Sequence, residues 1–585
     1  MESRIYGVET EYALSLETKD RKLQSRLDPG KLFDRLEASV LERHLSLDGD
    51  SFGRSAESEG HGIEIREGRF LKNGARFYYD TGHIEWATPE ASSARQAALY
   101  ELSGERTLAE AAQSMDLPGD TRLLIVKNNL DYVRQRTYGC HENYRARRVV
   151  SRRKDIFPLL IQKLVPFLVT RQIFCGAGRI GSSNEDAPQV GFQISQRADF
   201  ISQVASDNTR SDRAILNQRD ESLSNDSRFQ RLHLILGDSN RSPFSSILKL
   251  GTTGLVLQMI EREVLTDVPA LADPVQALKE TSRDLTFRQP LRLEDGRRLS
   301  ARQIQEIYYE KAQRYFSGRG GDEAQDILLM WGSVLTDLES DPMLLSNRVD
   351  WAIKLRYLLQ PHLERADCSW PDVAAWSRVI ESLERERHTS GPLTERHFSQ
   401  YRFLLDQDGL NWNDYENQRR LYFDLRERDL RYHDIDSKRG LFSLLQGTLG
   451  LPTEFEDSEI GVAQREPPPD TRARIRAQVI EWAHQNGSQD SVMLDWGRVN
   501  FAAEGRVVPL DDPFALSQPE LDELLCAGPR PAQPGSRGPS RSPLSESRTR
   551  VPEIRILGET ELPPRLFQRL RRRLVGLVKK ALGIR

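Results

Sequence analysis

The sequence predicts an α+β fold: a mainly antiparallel sheet with helices on one face. Three observations predict it. Strand-like segments cluster in the first 240 residues. Helices and long loops separate them, without the regular strand–helix alternation of a parallel sheet. Residues from about 270 to 450 are patterned mostly as helix. The chain has 585 residues, too many for one compact core, so two folded domains plus tails are expected.

Residues 1–14 (MESRIYGVETEYAL) predict a strand, because β-branched and aromatic residues alternate with charge. Residues 29–45 predict an amphipathic helix. Residues 46–69, polar and rich in Gly, Ser and Glu, predict an exposed mobile loop. Residues 70–90 hold a second strand and its exit turn. Residues 122–129 (RLLIVKNN) predict a buried strand ending in polar groups, and 138–149 another strand. Residues 153–174 and 244–266 predict helices, with a strand at 228–238 that ends in Gly-Asp. Pro467-Pro468-Pro469 marks a joint before a small mixed unit at 470–513. Residues 527–550 are of low complexity and predict disorder. Residues 562–585 predict a basic amphipathic helix, with Leu566, Leu570, Leu574, Val575 and Val578 forming its apolar stripe. That helix fits docking to an anionic membrane surface or an acidic partner; it fits a solvated tail equally well.

Composition excludes several classes. Apolar content of 38% and charged content of 29% are those of an ordinary globular chain. A net charge of −4 argues against a nucleic-acid binder. The four cysteines form no CxxC pair, which argues against zinc ribbons and redox motifs and suits a reducing cytoplasm. The N-terminus has no basic, then apolar, signal pattern, and no run of about 18 apolar residues predicts a membrane span.

Two segments carry the candidate chemistry. Glu9 and Glu11 are two apart on a strand, so both carboxylates point to one face. Paired acids repel unless a cation lies between them, and hard oxygen ligands suit Mg²⁺. In Arg76-Phe77-Tyr78-Tyr79-Asp80, residues 76, 78 and 80 share a face. His83, Glu85 and Thr88 follow the Thr81-Gly82 turn. This set suits a phosphate and metal site: Arg76 for phosphate, Tyr78 and Glu85 for metal, Asp80 for proton transfer. A solvated or salt-bridged strand face is the competing reading. Asn128-Asn129, His141-Glu142-Asn143-Tyr144, Asn217, Arg219, Asp220 and Gly237-Asp238 read as the wall of a cleft. The chain holds no GxxxxGK[ST] pattern, so a nucleotide would be held by side chains on a sheet.

GVETEYAL, NGARFYYDTGHIEWATPE, KNNLDYVRQRTYGCHENY, PFLVTRQIFCGAG, ISQRAD, FQRLHLILGDSN, LKLGTTGLVL, YHDIDSKRGLF and PPPDTRARIR stand in this order over residues 1–515. Together they resemble the Pup ligase and Pup deamidase/depupylase family, enzymes of the prokaryotic ubiquitin-like protein. The resemblance implies a glutamine-synthetase-like fold: a large domain with a curved antiparallel sheet over 1–455 and a small C-terminal domain over 456–515. A linker at 516–550 and a tail helix at 551–585 would follow.

The resemblance also implies ATP and Mg²⁺, with Pup and lysine-bearing proteins as partners and an indirect link to the proteasome and its ATPase ring. The ligase phosphorylates the side-chain carboxyl of the modifier's C-terminal glutamate, and a lysine then attacks. The deamidase converts a C-terminal glutamine to glutamate and cleaves the isopeptide bond. By motif, Glu9, Tyr78 and Glu85 resemble Mg²⁺ ligands, with Glu11 as a further one. Arg76, Thr88, Trp496 and Arg219 resemble nucleotide contacts, and Asp80 the catalytic base. The sequence departs from the family's NTRDEPH, reading Asn217-Gln218-Arg219-Asp220-Glu221-Ser222-Leu223, and this supports a third reading, an inactive modifier-binding paralogue. Cys140 in GCHENY, CGAG, GDSN, RGLF and Trp496 resemble the ligase branch. The Asp80–Glu85 spacing, GFQISQRAD and the 341–351 stretch resemble the deamidase branch. The count of motifs favours the ligase.

Overall fold

The structure, a computed structural model, describes residues 4–18, 23–24, 29–49, 65–80, 82–117, 119–132, 136–150, 154–182, 190–206, 212–217, 228–405 and 409–527. The 562–585 helix and the 527–550 low-complexity stretch therefore lie outside the described residues, except Ala527.

Eleven strands form the main sheet: β1 (Tyr6–Thr18), β2 (Leu23–Gln24), β3 (Ser46–Asp48), β4 (Ile65–Leu71), β5 (Arg76–Asp80), β6 (His83–Ala87), β7 (Thr121–Val126), β8 (Cys140–Arg147), β9 (Gln203–Ser206), β10 (Ala214–Asn217) and β11 (Phe229–Leu234). Their order is β9-β10-β11-β8-β1-β6-β5-β4-β3, with β2 and β7 also paired to β1. Every described pairing in this sheet is antiparallel except β9 with β10. The α+β prediction holds.

β1 is central, and its alternation decides the layers. Tyr6, Val8, Thr10 and Tyr12 are buried, while Gly7, Glu9 and Glu11 are half-buried on the other face. Helices cover the first face. In α1 (Pro29–Leu41) the apolar stripe Leu32, Phe33, Leu36 and Val40 is buried. Its Phe33 ring lies 5.1 Å from Phe77 and 5.4 Å from Tyr79. α2 (Ala94–Ser114) begins where the Ser93 hydroxyl accepts from the Gln96 amide, the usual N-cap geometry. α3 (Pro243–Glu261) is buried on all sides, its polar residues bonded within the core, as where Lys249 donates to the Asp238 carbonyl and Ser246 to Glu101.

The region from 270 to 450 is helical, as predicted, with long helices at Ala301–Phe316, Asp322–Ser340, Trp370–Ser390 and Trp412–Tyr432. The 46–69 prediction needs correction. Its two ends are strands β3 and β4, which pair with each other, while 50–64 lie outside the described residues. The 70–90 segment likewise holds two complete strands in a meander. Strand propensity there was masked by charge, since Arg69, Arg76 and Asp80 interrupt the apolar residues of these strands.

The small unit consists of α4 (Ala473–Gln485) and a three-stranded sheet, β12 (Val492–Asp495), β13 (Arg498–Phe501) and β14 (Arg506–Pro509). Its core includes Leu47 and Phe70 from β3 and β4, so its apolar face is shared with the main sheet. A further helix, α5 (Pro519–Ala527), occupies the start of the stretch read as linker, and its Leu521 is buried in the same core.

Beneath the sheet, Glu142 is fully buried and pairs with Arg171, whose Nη2 lies 2.5 Å from Oε1. The Tyr144 hydroxyl donates to the same carboxylate at 2.6 Å. Removing one partner of a buried pair leaves the other charge uncompensated. Glu142→Ala is expected to lower unfolding free energy by about 3–5 kcal/mol, read by denaturant titration; a loss under about 1 kcal/mol would contradict this account.

Candidate active site

The strand register brings the predicted acids together. Glu11 on β1 lies opposite Glu85 on β6, and Glu85 lies opposite Tyr78 on β5. These three side chains form one row across three strands. Glu9 is flanked by His141 on β8 and Ala87 on β6, and Ala87 faces Arg76. Asp80 faces His83 at the end of the β5–β6 hairpin. Glu9, Glu11, Tyr78, Asp80 and Glu85 therefore share the open face, while Phe77 and Tyr79 pack inward on α1. The register shifts by a bulge between Arg66 and Arg69. Gly68, at φ +70°, sits in that bulge, and a Cβ there would lie 2.1 Å from the Phe77 carbonyl and 2.4 Å from Tyr78 Cβ.

The electrostatics of the row are those of a cation site. Glu85 is 3% exposed. Burial, then the carboxylates of Glu9, Glu11 and Asp80, push its carboxyl well above the usual range. Burial and the Glu85 and Glu9 charges raise the Tyr78 phenol, which hydrogen-bonds Glu85. Glu9 behaves in the opposite way. Burial works to raise its carboxyl, but Arg231, the His141 hydrogen bond and His233 prevail and hold it below the usual range. Glu11 is anchored by the Gly139 amide at 2.8 Å. A Cβ at Gly139 would meet His141 Nε2 at 2.3 Å and Glu11 Oε1 at 2.8 Å, so any larger residue there would displace both side chains. The oxygen donors of Glu9, Glu11, Tyr78 and Glu85 fit Mg²⁺ in chemistry and charge.

A second donor set borders Glu9. Single ligand atoms of Glu9, His141 and His233 all lie within 4.8 Å of one another. His233 reaches this face because it pairs with Asn143 across β8 and β11, and its Nδ1 lies 2.9 Å from the Asn143 amide oxygen. Sequence reasoning missed His233. Alternation within β11 carried the signal, but only the pairing register places it beside Glu9.

A cavity of about 1110 Å³ opens from Glu9 toward the small unit. Glu9, Thr88 and Trp496 all line it, so three of the predicted residues meet there. Thr88 is tied down: its hydroxyl oxygen accepts from the Val8 amide at 3.0 Å. The Trp496 ring meets Phe70 edge-on at 5.0 Å. Arg76 does not line the cavity. Its guanidinium covers the Phe70 and Tyr78 rings, at 5.1 and 5.4 Å from their centroids. Arg219 and Asp220 lie outside the described residues.

The cleft-wall reading of the remaining polar motifs is corrected in part. His141 and Asn143 do face the site, but Glu142 and Tyr144 face the helices. Asn129 bonds the Tyr138 carbonyl and the Ser239 hydroxyl and amide. Asp238 accepts from the amides of Ala177, Gln196 and Arg197 and from the Ser195 hydroxyl. Both side chains are buried, Asn129 completely. KNN, GAG, ISQRAD and GDSN thus knit one buried scaffold beneath the site. Polar runs cannot by themselves distinguish a cleft from a satisfied buried network.

The raised Glu85 carboxyl has a testable sign. A group whose folded pKa is raised stabilises fully only below its unfolded value, about 4.3, and loses that contribution as pH rises. Without metal, Glu85→Gln is expected to raise the thermal midpoint at pH 7.5, and the gain should vanish toward pH 4. The same variant should weaken Mg²⁺ binding by at least about tenfold. A lower metal-free midpoint at pH 7.5 would overturn this assignment.

Comparison with known proteins adds a second line of evidence. The family model described as "Pup-ligase protein" matches residues 4–388 and 373–500. A protein named depupylase from Acidothermus cellulolyticus is 35% identical over 464 residues, covering 78% of this chain and 80% of that protein. A Pup–protein ligase from Acidimicrobium ferrooxidans is 35% identical over 536 residues, covering 89% and 98%. Among solved structures, a complex between Pup and its ligase PafA superposes with a TM-score of 0.69 at 29% identity, covering 90% of this chain and 91% of that one. PafA in complex with ADP superposes with a TM-score of 0.63 at 28% identity, covering 86% and 96%. Matched over most of its length by the family model and by relatives above 30% identity, the chain belongs to the Pup-ligase protein family.

Proposed function

We propose that this protein joins the side-chain carboxyl of the C-terminal glutamate of Pup to lysine side chains, using ATP. The observation that carries the reading is the row of Glu11, Glu85 and Tyr78 next to Glu9, which itself lines a cavity together with Thr88 and Trp496. The solved PafA complexes, one with Pup and one with ADP, support both partners.

In this reading Glu9, Glu11, Tyr78 and Glu85 hold Mg²⁺, which supplies neutralising charge to the nucleotide phosphates. Thr88 and Trp496 contact the nucleotide, and Arg76 and Arg219 are further contacts carried over from the motif alone. The terminal phosphoryl group passes to the glutamate side-chain carboxylate, giving an acyl phosphate and ADP. The lysine amine attacks the acyl carbon, phosphate leaves, and the amine proton passes to Asp80. The new bond is an isopeptide. Asp80 suits this task by position, at the rim of the hairpin opposite His83. The product tags proteins for the proteasome in this proposal.

One observation favours a second reading. The depupylase relative is as similar in identity, 35%, as the ligase relative. In that case the same base serves hydrolysis of a glutamine amide or an isopeptide bond. Incubating the full chain with ATP, Mg²⁺, Glu-terminal Pup and a lysine-bearing acceptor decides between them. A conjugate formed in step with ATP hydrolysis is expected. Release of Pup from a preformed conjugate, without stoichiometric ATP loss, would establish the depupylase instead.

Asp80→Asn is expected to lower kcat by about 10²–10⁴ while the KM for ATP stays near that of the parent. Retention of full kcat would remove Asp80 as the base.

A further inference from the structure

Phe70 receives two guanidinium groups and one indole. Arg76 lies over its ring at 5.1 Å and Arg476 at 5.6 Å, while Trp496 meets it edge-on with an interplanar angle of 79°. Arg476 also covers the Trp496 indole at 5.2 Å and donates to the Trp496 backbone carbonyl at 3.0 Å. Arg476 is itself locked. It is fully buried and bidentate on Glu90, and Arg472 Nε bonds the same carboxylate at 2.7 Å. Burial works to raise the Glu90 carboxyl, but Arg476 and Arg472 prevail and hold it at about 2. Phe70, Arg76 and Glu90 come from the main sheet, whereas Arg472, Arg476 and Trp496 come from the small unit. The indole's pose is therefore set by residues of both the large and the small unit.

We infer that Phe70 and Arg476 are positioning residues that hold the Trp496 indole at the cavity wall. Glu90 fixes Arg476 in that pose, so nucleotide affinity depends on how the small unit seats on β4 and on the turn after β6. The inference rests on the reading of Trp496 as a nucleotide contact. It also gives the TPE and TRARIR motifs a shared task. A purely mechanical role, clamping one unit to the other, predicts different behaviour: stability would fall while nucleotide affinity stayed put.

The test compares the full chain with its Phe70→Leu, Phe70→Tyr, Arg476→Lys and Trp496→Phe variants. Two quantities are read: KM for ATP against kcat, and the rise in thermal midpoint caused by ADP with Mg²⁺. Phe70→Leu and Arg476→Lys are each expected to raise KM for ATP about three- to tenfold with kcat near the parent's. The ADP-induced rise should shrink in both, as in Trp496→Phe. Phe70→Tyr keeps the ring and should restore parental values. Lower ligand-free midpoints with an unchanged ADP-induced rise and KM would overturn the inference while Trp496→Phe still shows the loss. If Trp496→Phe also matches the parent, the nucleotide role of Trp496 falls, and the inference with it.

Discussion

Glu9, Glu11 and Glu85 stand on one face of two neighbouring strands, and their mutual repulsion constrains everything around them. A sheet tolerates like charges in register only where something compensates. Here Arg231, His141 and His233 compensate Glu9, and the Gly139 amide anchors Glu11. Glu85 is held differently: Tyr78 hydrogen-bonds it, and burial with three neighbouring carboxylates pushes its carboxyl well above the usual range. The protein holds its acids unevenly, with one carboxyl held below the usual range and another pushed well above it. In the proposed function, that asymmetry suits the face to a divalent ion.

Keeping such a face in place demands a rigid support, and the opposite side of the sheet is correspondingly polar for a core. Glu142 with Arg171, Lys127 with Glu101 and Glu105, and Lys354 with Asp429 are all buried ion pairs. Buried pairs add little net stability over apolar residues of the same size. What they add is register: a strand slip by one residue would strand several charges at once and turn Glu9 and Glu11 into the core. The Asp238 and Asn129 networks serve the same end for the loops beneath the site.

The small unit is not an independent body attached to this scaffold. Its core is completed by Leu47 and Phe70 of the main sheet, and its α4 arginines close on Glu90. The cavity wall on that side is consequently built by residues far apart in sequence, and the seating of the unit and the shape of the wall are one variable.

Sequence alone determined the parts of this protein that depend on local periodicity. Alternation in GVETEYAL put Glu9 and Glu11 on one face of their strand, and alternation in RFYYD put Arg76, Tyr78 and Asp80 on one face of theirs, because the side-chain period of a strand is fixed by backbone geometry. The helical stretch from 270 to 450 and the apolar stripe of α1 were legible for the same reason. Only the tertiary structure decided matters of register and partner. It placed His233 beside Glu9, through pairing between strands almost ninety residues apart in sequence. It showed that Arg76 stacks on Phe70 and Tyr78, and that Asn129 and Asp238 are scaffold. Strands β3 and β4 were hidden because charged residues on an open sheet face look like loop. Which strands pair, and in what register, follows from the summed burial of many side chains, and no local window of sequence contains that sum.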